Sequence, residues 1–146
     1  MTIYLASDHA GFQLKEAIKK FLTEKGHEVK DFGAFSYDEK DDYPDFVKPA
    51  AEAVSKNLND RAIILGASGQ GEAMVANRYK GVWAAVLDMY YDEVIKLSRE
   101  HNDANVLSLG ARFLKEKEAL TAVQLWLKTK FSGEARHKRR ISKIDK

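Results

Sequence analysis

The chain has 146 residues, 45% hydrophobic and 32% charged, with a formal net charge of +2. That length suits one domain around one core, and the composition is that of a globular protein. The absence of cysteine excludes disulfides, thiolate nucleophiles and thiolate metal sites, and the longest apolar runs, 62–65 and 83–87, are too short to span a bilayer.

In chain order, MTIYLAS enters a strand pattern at once, with no basic leader and no cleavage motif, so the expected location is cytoplasmic. The first strand is IYLAS (3–7). A helix from Gly11 to Lys25 follows, with Phe12, Leu14, Ala17, Ile18, Phe21 and Leu22 at helical spacing and Gly26 as its stop. EVKDFG (28–33) is the second strand. A polar loop over 34–43 leads to Pro44, which opens a helix with Phe46, Val47, Ala50, Ala51 and Val54 on its inner face.

RAIILGAS (61–68) is unbroken in its apolar character, the mark of a strand covered on both faces. Helix 71–78, strand 81–87, helix 89–100, strand 105–110 and helix 115–130 complete the alternation, and the tail 131–146 is polar and basic, with room for one short helix. The βα alternation predicts an α/β fold: an open, doubly wound (Rossmann-like) five-stranded parallel sheet with helices on both faces, in a single domain spanning 1–146. Such sheets bind ligands beyond the carboxyl ends of their strands, at a topological switch point, so chemistry is expected just after strands.

SDHAG (7–11) follows the first strand. Asp8 reads as a helix cap, but a cap needs no histidine beside it, and His9 at a helix start suits an anion such as phosphate. GASGQGEAM (66–74) follows the third strand. It lacks the lysine of a P-loop and the spacing of a dinucleotide loop. Glu72 at its lip would repel a phosphate. A developing oxyanion fits better, because it forms only once a carboxylate has taken a proton and become neutral. The plainer alternative is a glutamate favoured by a helix dipole.

SREHNDAN (98–105) carries His101 and Asn102, and LGAR puts Arg112 just past the fifth strand. A lone histidine at a helix end and a surface arginine are common structural features. In RHKRR (136–140), Arg136 and Arg140 would share a helix face and could grip one phosphate, although a solvated tail is the simpler reading. Nucleic acid is disfavoured as a partner by the single short basic patch and the lack of interleaved aromatics. Tyr43 in DYPDF (42–46) could line a sugar pocket or act as a hydrophobic staple.

SDHAGFQLKEAI, DYPDF, GASGQGEAMVANR, REHNDANVLSLGAR and RHKRRISKI together resemble the type B ribose-5-phosphate isomerases and the related galactose-6-phosphate isomerase subunits, in register from the first strand to the tail. The resemblance implies interconversion of an aldose phosphate and a ketose phosphate through an enediol, with no metal and no cofactor. It also implies a homodimer, or a tetramer, with active sites between subunits, and neither nucleic acid nor membrane as a partner. Many members carry a cysteine base at the end of the third strand. Here that position is Gly66, and the sequence resembles the branch with a glutamate at the position of Glu72.

By the same resemblance, the anion hole is Ala67, Ser68, Gly69, Gln70 and Gly71. His101 opens the sugar ring, with Asp8 sharing that proton transfer. His9, Arg112, Arg136 and Arg140 hold the phosphate, so the tail contributes to binding. Asp8, Tyr43 and Asn102 contact the sugar. The expected activity is ribose-5-phosphate isomerisation. The alternatives are the same chemistry on galactose or allose 6-phosphate, and a non-catalytic phosphosugar-binding module.

Overall fold

The computed structural model describes residues 1–146. Strands β1 (Thr2–Ser7), β2 (Glu28–Asp31), β3 (Arg61–Gly66), β4 (Ala84–Leu87) and β5 (Val106–Gly110) alternate with helices α1 (Phe12–Glu24), α2 (Tyr43–Lys56), α3 (Gln70–Ala76), α4 (Asp92–Glu100) and α5 (Glu116–Lys128). A sixth helix, α6 (Ala135–Ile141), occupies the basic tail, and a 3-10 turn, His9–Gly11, precedes α1. All strand pairs are parallel, in the order β2-β1-β3-β5-β4. This is the doubly wound sheet that the alternation predicts.

The central strands explain why their sequences do not alternate. Ile3, Leu5, Ile63, Leu65, Leu107 and Leu109 bury one face against α1 and α5, around Ile18, Leu22, Val123 and Trp126. Ala6, Ala62, Ile64 and Val106 bury the other face against α2 and α3, around Val47, Ala50, Ala51, Val54 and Ala76. A strand covered on both sides needs an apolar residue at every position.

Element ends shift by a few residues. The third strand stops at Gly66 rather than 68, because the chain turns there into the loop that opens α3. The fourth begins at Ala84 rather than 81: the Gly81 amide donates to Asp145 Oδ2 at 2.9 Å and the Trp83 amide to Asn105 Oδ1 at 2.8 Å, so side chains take the place of a strand partner. After β2, pairing continues irregularly, with Ser7 N–H to the Gly33 carbonyl at 2.7 Å and Ala34 N–H to the Ser7 carbonyl at 2.6 Å.

β1 and β3 are neighbours, but their helices wind off in opposite directions along the sheet. The crevice outside their carboxyl ends is the switch point at which such folds bind ligands.

Candidate active site

Both flanks of that crevice are built by local chemistry. Asp8, 7% exposed, caps the turn after β1, accepting from the Ala10 amide at 3.0 Å and the Gly11 amide at 3.4 Å. The capping role is therefore real, and it fixes the carboxylate at the strand end. Across the crevice, the loop after β3 is tethered to β5. Ala111 N–H donates to the Gly66 carbonyl at 2.8 Å and Arg112 N–H to the Ala67 carbonyl at 3.1 Å.

Gly69 turns this loop at φ +77°, and a β-carbon there would stand 3.0 Å from the Leu109 carbonyl carbon and 3.1 Å from Ser108 Oγ. The positive φ favours glycine, and the close backbone contact leaves a β-carbon little room. The Gly69 carbonyl accepts the buried Ser108 hydroxyl at 2.6 Å, which locks the peptide that leads into Gln70.

Glu72 lies in the first turn of α3 and is only 4% exposed. Its carboxylate fills the space above Gly66: a β-carbon on Gly66 would overlap Glu72 Oε1 and Cδ and lie 2.6 Å from Oε2. Burial pushes the Glu72 carboxyl above its ordinary range and the Asp8 charge adds to this, against a hydrogen bond from its own amide. A buried carboxylate of raised pKa is a competent proton acceptor near neutral pH.

His9 stands on the same edge. Its amide donates to Asp41 Oδ1 at 3.0 Å, and its ring Nδ1 meets the same oxygen at 2.6 Å. The Asp41 hydrogen bond is the main influence raising the His9 pKa. Partial burial and the Arg112 charge oppose it, and Asp8 reinforces it. Arg112 is exposed at the same rim. Tyr43 opens α2 with its ring over the loop, Cζ lying 2.6 Å from where a Gly71 β-carbon would be. Ligating atoms of Asp8, His9 and Asp41 lie within 4.8 Å of one another. Asp41 Oδ1 is engaged by the His9 ring and amide, so Asp41 and His9 form a hydrogen-bonded dyad beside the Asp8 cap.

The structure thus brings together Asp8, His9, Tyr43, residues 67–71, Glu72 and Arg112. It does not bring His101, Asn102, Arg136 or Arg140 to them. His101 is the C-cap of α4, which has run back to the amino edge, and Asn102 follows on the way to β5. α6 is fastened to that edge, with the His101 and His137 rings stacked at 4.2 Å and 18°. Arg136 and Arg140 are exposed there, Arg136 Nε donating to Glu134 Oε2 at 2.8 Å. The five residues of β5, at about 3.3 Å each, hold the two groups roughly 15 Å apart.

Three site-associated residues have no distinct signal in the sequence. Asp41 is one of several carboxylates in DEKDD, Ser108 is a lone polar residue in a strand, and His137 sits between tail cations. His137 is 3% exposed with an unpartnered Nε2. Burial lowers its pKa, helped by the adjacent His101, Arg136 and Arg140.

A buried carboxylate beside a glycine loop at a switch point, with a histidine and an arginine on the rim, is an α/β arrangement suited to proton transfer on a small anionic substrate. A family profile described as ribose/galactose isomerase matches residues 3–144. Ribose-5-phosphate isomerase B of Mycolicibacterium paratuberculosis is 43% identical over 141 residues, which cover 97% of this chain and 87% of that protein. The crystal structure of ribose-5-phosphate isomerase B from Mycoplasma genitalium with bound ribulose-5-phosphate superposes with a TM-score of 0.93. It is 42% identical, covering 98% of this chain and 93% of that one. The Clostridium thermocellum ribose-5-phosphate isomerase B structure gives 0.92 at 43% identity, covering 99% and 95%. The chain belongs to the ribose/galactose isomerase family.

Proposed function

We propose that this protein interconverts ribose 5-phosphate and ribulose 5-phosphate, with Glu72 as the base. The observation that carries the mechanism is the Glu72 carboxylate, buried and of raised pKa, seated on Gly66 beside the 67–71 loop. The choice of pentose is supported by the similar proteins, which are named for ribose 5-phosphate.

His101 assists opening of the furanose, with Asp8 sharing the proton transfer. Glu72 then removes the C2 proton of the open aldose, and the charge passes to O1. Backbone N–H groups of residues 67–71 hold this oxyanion while Glu72 is neutral, so base and anion never repel one another. Glu72 returns the proton to C1 as the O2 hydroxyl proton moves to O1, leaving a carbonyl at C2. Tyr43, Asn102 and Asp8 hold sugar hydroxyls, and His9, Arg112, Arg136 and Arg140 hold the phosphate.

Groups roughly 15 Å apart cannot serve one five-carbon sugar, so each site is completed by a second copy of the chain. One copy gives Asp8, His9, Tyr43, the 67–71 loop, Glu72 and Arg112. The other gives His101, Asn102, Arg136 and Arg140. A two-fold dimer makes two such sites.

Mixing inactive variants tests base and dimer together. Glu72→Gln and His101→Asn each lose activity alone. Unfolded together and refolded, half of the dimers carry both chains, and each of these has one intact site, so about a quarter of wild-type activity returns. A mixture as inactive as its parents would refute the shared site, and wild-type turnover by Glu72→Gln would refute the base.

A further inference from the structure

We propose that Asp41 is a positioning residue for phosphate binding: it holds the His9 ring by Nδ1 and keeps it in the doubly protonated form that a phosphate ester requires. The inference rests on His9 being a phosphate ligand, as in the proposed function.

Geometry carries it. Asp41 Oδ1 accepts from both the amide and the ring of His9, at 3.0 and 2.6 Å, which fixes the ring relative to its own backbone. The Asp41 side chain is 10% exposed, and its other oxygen, Oδ2, has no protein partner. No lysine or arginine pairs with this carboxylate, and its charge is directed at His9 alone. The acidic loop is shaped to bring it there: Asp41 N–H donates to the Asp38 carbonyl at 3.1 Å, and Asp38 Oδ1 accepts from the Lys40 amide at 3.0 Å.

The chemistry of imidazole supplies the rest. With Nδ1–H committed to Asp41, a neutral ring carries a bare lone pair on Nε2, which repels a phosphate oxygen. Only the imidazolium donates to Asp41 and to phosphate at once. The other charged neighbours are Asp8, which favours the imidazolium, and Arg112, which opposes it, while the Tyr37 ring meets His9 edge-on at 6.0 Å. Asp41 therefore offsets the repulsion between His9 and Arg112, and that from Arg136 and Arg140 of the second copy, which are proposed to grip the same anion. The part of its effect that acts through the imidazolium charge must vanish at low pH, where His9 is protonated without help.

The test is the pH dependence of KM for ribose 5-phosphate in Asp41→Asn, with the His9 ring followed by NMR titration in the full-length protein. KM should rise about tenfold at pH 8, as expected for loss of one charge-assisted hydrogen bond, with kcat moving less. The penalty should shrink toward pH 6, and the His9 titration should move to lower pH once the Asp41 charge is lost. Asp41→Glu, which keeps the charge, should retain the wild-type profile whatever its kcat. Adding Asp41→Asn to His9→Gln should change nothing further. A KM penalty equal at both pH values, or an unmoved His9 titration, overturns the inference while leaving His9 as a ligand. An unchanged KM in His9→Gln removes the phosphate role itself.

Discussion

Gly66→Ala is the sharpest perturbation available, because it adds one methyl group and touches no proposed phosphate ligand. That methyl would overlap Glu72 Cδ and Oε1 and stand 2.6 Å from Oε2. Ordinary contact needs about 3.4 Å, so the carboxylate must retreat by 1 Å or more, or β3 must shift. Retreat is the easier course, since β3 is held by β1 and β5 on both edges. A misplacement of about 1 Å in a catalytic group costs on the order of 10²-fold, and overpacking a buried site costs about 1–3 kcal/mol of stability. The expected result is a kcat at least about a hundredfold lower, with a KM within about threefold of wild type and a cooperative thermal transition a few degrees lower. A coupled assay for ribulose 5-phosphate gives the first two values, and calorimetry the third. Near-wild-type kcat would show that Glu72 does not work from its place above Gly66. The same geometry bears on the cysteine that many members carry at this position: its β-carbon would occupy the volume that Glu72 fills here. On the proposed reading, positions 66 and 72 are two exclusive places for one base.

Burial and Asp8 raise the Glu72 pKa, and the group must be ionised to accept a proton, so kcat/KM should fall as pH drops through a value above the usual carboxylate range. Asp8→Asn removes one raising influence and should move that limb to lower pH; a limb that stays put or rises argues against the coupling. Ser108→Ala frees the Gly69 carbonyl and loosens the oxyanion loop, so kcat should fall about tenfold with KM nearly unchanged, and an unaltered kcat would mean the loop holds itself. Arg136→Ala and Arg140→Ala should each raise KM more than they lower kcat, because phosphate binding is largely common to ground and transition states. Unchanged KM in both would leave α6 without its phosphate role.

The fold was legible because its signals are local and repeated: unbroken apolar runs for strands buried on both faces, 3.6-residue spacing for the helices between. Half of the candidate site was legible for a related reason. In a doubly wound fold, the residues after β1, β3 and β5 converge on one edge whatever else the chain does, so Asp8, His9, Glu72 and Arg112 can be grouped from order alone. Asp41 was not legible. Nothing distinguishes it from Asp38 or Asp42 until the loop is folded and one carboxylate meets His9. His101 and the tail arginines stood out in the sequence, but their grouping with Glu72 came only by resemblance, because no rule of strand ends brings the C-cap of α4 to Glu72.

That separation has a physical logic. Bringing Arg136 and Arg140 into the crevice that already holds Glu72, His9 and Arg112 would add positive charge beside the carboxylate, and such a field would lower the very pKa that burial raises. With the two tail arginines and His101 on the opposite edge, burial and the Asp8 charge raise the Glu72 pKa. In the shared site proposed above, these cations meet the substrate phosphate, not Glu72, when a second copy completes the pocket. On that proposal, assembly adds binding charge at the far end of the sugar and leaves Glu72 tuned by its own strand edge. If this is how the charges are divided, the acid limb of kcat/KM should be the same in wild type and in Arg136→Ala, even though their KM values differ. A limb displaced upward in the variant would mean that the arginine field reaches Glu72 after all.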